Sequence, residues 1–141
     1  MKRVLYLAVV AVALSACGGP NASDVDAAAP ADASSEELTD CGTFVLSQGE
    51  ALTDNAVKCF VDAVQAGRPA RLKQTSPTTE GDPIITEYEA GTDGRVEIVT
   101  DSRQDNFGQQ IISRHTCTGP TPRPGMIDFA HCSEPTPVGG G

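Results

Sequence analysis

Four carboxylates stand in two short polar segments. Glu80 and Asp82 lie in Thr79-Glu80-Gly81-Asp82-Pro83, and Asp101 and Asp105 in Asp101-Ser102-Arg103-Gln104-Asp105. Paired carboxylates can share acid and base work when their surroundings drive their pKa values apart. Several carboxylate and carbonyl oxygens together can hold calcium. Turn formation accounts for the same residues with fewer assumptions. Asp side chains bond nearby backbone amides, Gly81 reaches torsions closed to other residues, and Pro83 fixes its own φ. Glu80, Asp82, Asp101 and Asp105 are therefore candidate functional loops, with no catalytic residue, metal or cofactor assigned.

A second constellation is His115-Thr116-Cys117 with His131-Cys132, two imidazoles and two thiols. Successive strand residues face opposite ways, so His115 and Cys117 share a face while His131 and Cys132 part. Four ligands would struggle to converge, and an oxidising compartment favours a disulfide over thiolate ligation. Nucleophilic chemistry has less support. The chain has no Gly-x-Ser-x-Gly elbow, no phosphate-cradling glycine loop and no zinc-protease helix signature.

The amino terminus speaks to compartment. Lys2 and Arg3 precede an apolar run from Val4 to Leu14, which ends in Leu14-Ser15-Ala16-Cys17-Gly18. That run is too short to cross a hydrocarbon core of ~30 Å, which takes about 20 helical residues. It suits a signal-peptide core ahead of a small-residue cleavage site. Leu-Ser-Ala-Cys resembles the lipobox of bacterial lipoproteins. The resemblance implies a lipid (diacylglycerol and palmitate-type acyl chains) on Cys17, cleavage after Ala16 and a membrane anchor. Gly18 resembles the outer-membrane sorting pattern, which in a Gram-negative host would place the domain in the periplasm.

Residues 1–16 hold two of the ten basic residues and no acidic ones, so the chain's net charge of −9 becomes −11 without them. Residues 17–40 carry Asp24, Asp26, Asp32, Glu36, Glu37 and Asp40 among Ala, Ser, Pro and Gly, with no lysine or arginine. So little apolar surface cannot offset the entropy of ordering, and an acidic disordered tether is expected. Residues 41–135 form the small domain, and residues 136–141 read as a disordered tail. No basic cluster tracks a phosphate backbone, which argues against nucleic acid.

A domain this small, without tryptophan, needs covalent help. Cys41, Cys59, Cys117 and Cys132 supply an even count for an exported domain. Of the three possible connectivities, Cys41–Cys59 and Cys117–Cys132 bracket plausible local units and are favoured. Each loop would contribute about 3 kcal/mol in the chain-entropy picture.

The elements that must position these residues follow from periodicity. Leu52, Ala56, Phe60, Ala63 and Val64 recur at helical spacing. Ser47 with Glu50, or Thr53 with Asp54, could start that helix, and Gly67 and Pro69 end it, predicting a span near 53–66. Period two then predicts strands at 70–76, 84–89, 95–100, 109–117 and 126–132, with glycine-bearing turns between them. Phe44-Val45-Leu46 is a possible further strand. Gly119-Pro120-Thr121-Pro122-Arg123-Pro124-Gly125 reads as neither helix nor strand interior. The expected fold is α+β: one helix packed on an antiparallel four- to five-stranded meander, with two disulfides.

Thr79-Glu80-Gly81-Asp82-Pro83-Ile84 and the later Asp101-x-x-x-Asp105-x-Phe107 segment resemble an uncharacterised family of small bacterial lipoproteins and secreted domains over roughly residues 55–117. The resemblance implies export and a fold, and no activity. The expected function is a non-catalytic binding module of the cell envelope, monomeric, with an envelope protein, peptide or glycan as partner. The alternative is a small hydrolase using the loop carboxylates.

Overall fold

Thr53 opens the helix α1, Asp54–Gln65, by accepting the Ala56 N–H on its Oγ1 at 3.2 Å, which satisfies one of the first-turn donors. Ser47 and Glu50 instead close a turn upstream: Glu50 Oε2 accepts from Ser47 N at 2.8 Å. At the far end Gly67 takes φ +67°, while Gly67 N–H and Arg68 N–H return to the Val64 and Ala63 carbonyls at 3.0 Å each. This double closure needs a left-handed residue after the cap, which glycine adopts freely. The computed structural model describes residues 37–139. Cys17, the signal segment and most of the tether lie outside the described residues.

Seven strands accompany the helix: β1 Thr39–Val45, β2 Ala70–Pro77, β3 Pro83–Ala90, β4 Arg95–Asp101, β5 Ile112–Arg123, β6 Met126–Cys132 and β7 Thr136–Pro137. Six run in the sheet order β1-β2-β3-β4-β5-β6, and β7 pairs with β5. The helix and the two disulfides match the expected plan, but the sheet corrects it. It is mixed, not an antiparallel meander, and the described residues are mostly β. β1 pairs parallel to β2, because α1 carries the chain back between them, the crossover that parallel neighbours require. β1 also begins within the stretch read as tether. Its register shifts between Asp40 and Thr43, where Gly42 takes φ +103°, and such a bulge interrupts the alternation by which a strand is recognised.

β5 is the second correction. It runs through Pro120 and Pro122, in the segment read as strand-free, and pairs in unbroken register with β6, Pro120 opposite Phe129 and Pro122 opposite Ile127. Proline is tolerated here because β4 no longer flanks β5 beyond Thr118, so a missing N–H on that edge removes no ladder bond. The Pro120 carbonyl is taken by Gln65 Nε2 of α1 at 3.1 Å. Gly119, at φ +66°, shifts the alternation by one, so Cys117 and Pro120 are both buried despite a spacing of three. β7 is the third correction: Thr136 and Pro137, read as tail, pair with Arg114 and Ser113.

The core forms where α1 lies on one face of the sheet. Val57, Phe60 and Val61 of the helix and Leu72, Val96 and Cys117 of the strands are almost wholly buried. Phe60 meets Tyr88 edge-on with ring centroids 6.0 Å apart, and burial pushes the Tyr88 phenol pKa up. The helix packs on β1 and β2 and also on β5 and β6. Those strands stand at opposite ends of the order, so the sheet curls around it. Cys41–Cys59 ties β1 to α1, and Cys117–Cys132 ties β5 to β6.

Gly119 lies where β5 changes its alternation, at a positive φ and close to β6. A Cβ there would stand 2.9 Å from the Ala130 Cβ, in a backbone conformation that side chains resist. Gly119→Val should therefore destabilise the fold by about 2 kcal/mol, about 10 °C in a domain of this size. Gly91→Ala, at a glycine without a positive φ, should change the melting temperature little. Equal melting of both variants with the parent would show that β5 does not turn at Gly119.

Candidate functional site

The β2–β3 turn and the β4–β5 loop meet at one end of the sheet. In the turn, Thr78 N–H donates to the Asp82 carbonyl at 2.8 Å, Gly81 N–H to the Thr78 carbonyl at 3.0 Å, and Asp82 N–H to Thr78 Oγ1 at 3.1 Å. Gly81 sits at φ +98°. These bonds satisfy the turn locally and leave the Asp82 carboxylate free to reach outward.

It reaches Asn106. Asp82 Oδ2 accepts the Asn106 backbone N–H at 2.8 Å and Oδ1 accepts Asn106 Nδ2 at 3.1 Å. Asp105 works inside its own loop, its Oδ1 accepting the N–H groups of Phe107 at 3.0 Å and Gly108 at 2.9 Å. Ser102 closes the loop base: its N–H donates to the Ile111 carbonyl at 2.9 Å, and its hydroxyl to the Gln109 carbonyl at 2.6 Å. Three consecutive amides, 106 to 108, are thus taken by two carboxylates. At the end of this fixed backbone Phe107 stands 77 % exposed.

Asp101 has a different partner. Its carboxylate accepts Arg103 Nε at 2.9 Å, Nη2 at 2.7 Å and the Arg103 backbone N–H at 3.0 Å. The Arg103 guanidinium and amide hold its carboxyl down to about 2, from 3.8. Such a group stays ionised through any ordinary pH and donates no proton. Glu80 is exposed and makes no side-chain hydrogen bond among the described residues. The four carboxylates therefore do not form one acidic cluster. Asp82 and Asp105 bind the same loop backbone, Asp101 is occupied by an arginine, and Glu80 stands apart.

Sequence reasoning singled out the carboxylates and missed their partners. Arg103, two residues after Asp101, was detectable from spacing. Asn106 was not, since 24 residues separate it from Asp82. The hollow nearest the loops, lined by Lys73, Ile85, Glu87, Val99, Asp101 and Ile112, lies on the sheet face that α1 leaves uncovered. Lys73 pairs there with Glu87 at 2.6 Å, and Arg114 with Glu97 at 3.3 Å. Their side chains are nearly half exposed, so these pairs contribute little. Farther along β5 from the loops, His115 and Cys117 gather with Cys132 of β6, whereas His131 is exposed and outside that group.

Asp101 makes a pH prediction. Its folded pKa lies below the unfolded value, so its contribution is present above about 4 and is lost as pH falls from about 4 to 2. Solvent screening keeps the contribution small. Asp101→Asn should flatten the fall of melting temperature across that window, leaving the part due to Asp40, which Arg71 also holds low. Acid-titrated melts that run parallel for variant and parent would contradict the pairing.

No curated protein and no solved structure matches the chain. A family described as a domain of unknown function, DUF4362, matches residues 44–120, more than half of the chain. The matched span starts in β1, takes in α1, both loops of the site and the bend at Gly119, and ends in β5. The protein belongs to this family of domains of unknown function.

Proposed function

We propose that the chain is a lipid-anchored module of the bacterial envelope that binds a partner without catalysis. Its partner, an envelope protein, peptide or glycan, meets the sheet end that carries Phe107. The observation that carries this reading is the exposure of Phe107 on a loop whose amides are already bonded to Asp82 and Asp105. Leu38, Val45, Met126 and Val138 are also exposed, but Phe107 alone among these is aromatic, with its own N–H held by Asp105 and its neighbour Asn106 held by Asp82 of the second loop. A large apolar side chain on a pre-ordered backbone loses little entropy on binding, which is how a few residues come to dominate an interface.

Lipid on Cys17, the acidic spacer and a periplasmic setting complete the proposal, and the two disulfides support export because such bonds persist in oxidising compartments. The motif pair of the resemblance acquires a physical reason: Asp82 of the hairpin and Asn106 beside Phe107 are hydrogen-bonded partners. The hydrolase alternative gains nothing from the geometry. An acid–base pair needs two carboxylates with separated pKa values and a substrate between them, whereas Asp82 and Asp105 are engaged with amides, Asp101 with a guanidinium, and Glu80 stands apart from all three.

A photo-crosslinking residue placed at 107 in cells should form discrete envelope adducts, and one at Met126 should not. With the partner in hand, Phe107→Ala should weaken binding by about thirtyfold, equivalent to about 2 kcal/mol. Cys17→Ala should shift the domain out of the membrane fraction. Equal adducts from both positions, or unaltered affinity on truncation of Phe107, would refute the binding surface. Membrane retention of the Cys17 variant would refute the anchor.

A further inference from the structure

His115 lies two residues before Cys117 on β5, opposite Ile98 of β4, and Cys117 lies opposite Cys132 of β6. One ring nitrogen of His115 and the two sulfurs all fall within 4.8 Å of one another. His115 Nδ1 is buried and has no hydrogen-bond partner, the one such side-chain atom among the described residues. A buried polar atom normally has a partner, so this nitrogen calls for an explanation that packing does not provide. The neighbouring disulfide is asymmetric: Cys117 is fully buried and Cys132 exposed. Exposed disulfides are the ones open to exchange.

The sulfurs are held together by more than their own bond. The two Cα atoms are 4.1 Å apart, and the ladder continues on both sides. Thr118 pairs with His131 beyond the disulfide. Before it, Ser133 N–H donates to the Thr116 carbonyl at 2.9 Å and Thr116 N–H to Ser133 Oγ at 3.0 Å. Opening the disulfide would leave both thiols side by side, facing the same imidazole.

We propose that this corner is a redox-gated metal site: with Cys117–Cys132 reduced, the two thiolates and His115 bind a zinc ion, and reoxidation by a disulfide-bearing oxidant, which takes the two electrons and is itself reduced to a dithiol, expels it. The reductant is a dithiol donor. Its thiolate attacks the exposed Cys132 sulfur and the sulfur–sulfur bond breaks, so Cys117 leaves as thiolate. The donor's second thiol then resolves the mixed disulfide. The donor ends as a disulfide, having delivered two electrons and two protons. Zinc replaces the two thiol protons, which pass to solvent, and neutral His115 contributes its lone pair. Zinc accepts two cysteines and one histidine in tetrahedral sites whose fourth position stays open, and in this state the orphaned imidazole acquires a partner.

The test uses the full chain, reduced with a phosphine under argon and titrated with cobalt(II) as a coloured stand-in for zinc. A thiolate-to-cobalt charge-transfer band should grow to one equivalent, vanish on adding zinc, and be absent from the unreduced protein. Alkylation mapping with zinc bound should show Cys117 and Cys132 protected while Cys41 and Cys59 react. His115→Ala should weaken the affinity by more than about tenfold, and His131→Ala should leave it unchanged. No charge-transfer band in the reduced parent, protection of Cys41 and Cys59 instead, or equal affinity without His115 would each overturn the site.

Discussion

The hold of one carboxylate, Asp82, on the backbone and side chain of Asn106 joins two loops 24 residues apart. The order of that end of the molecule depends on it. Each loop is closed within itself, by Thr78 in one and by Ser102 and Asp105 in the other, but neither closure fixes one loop against the other. β3 and β4 carry the two loops from a shared ladder running from Ala90–Val96 to Ile85–Asp101. The sheet sets the distance, and Asp82 uses it. Phe107 follows as a consequence, since its own N–H is bonded to Asp105 and its neighbour to Asp82.

A chain of this size can position such an end only if its other end is secured. Among the described residues one twelve-residue helix covers one sheet face, and that face must serve both as core and as scaffold. The curl lets a single helix touch strands from both ends of the order. Gly119 permits the turn in β5, Gln65 satisfies the carbonyl that Pro120 presents, and Cys41–Cys59 pins the helix to the outermost strand. The sheet face left open carries paired charges rather than a second layer, in keeping with a surface that solvent covers.

Much of this plan is legible in the sequence because local physics decides it. The Leu52-to-Val64 stripe, the Thr53 cap and Gly67 specify a helix from residues within four positions of one another, and β2, β3, β4 and β6 follow from alternation between turn glycines. Elements decided at longer range are not legible. β1 is broken by the Gly42 bulge, and its parallel pairing exists only once α1 has folded back. β5 contains prolines that would end most strands, tolerated here by an edge that β4 has vacated. The same division runs through the site. Asp105 and Asp101 act on amides and an arginine two or three residues away, within reach of turn chemistry, whereas the Asp82–Asn106 bonds need the finished sheet.

A double-mutant cycle on Asp82→Ala and Asn106→Ala, read by denaturant unfolding, tests the central claim most directly. Asp82→Ala removes both hydrogen bonds and Asn106→Ala only the one from Nδ2, so the cycle isolates the side-chain pair and predicts a coupling energy of about 1 kcal/mol. The double variant should then be little less stable than Asp82→Ala alone, because the residue-106 backbone amide has lost its carboxylate in both. Additive effects, with coupling near zero and little cost to Asp82→Ala alone, would contradict the account: the loops would not be joined through Asp82, and Phe107 would have no fixed backbone to stand on.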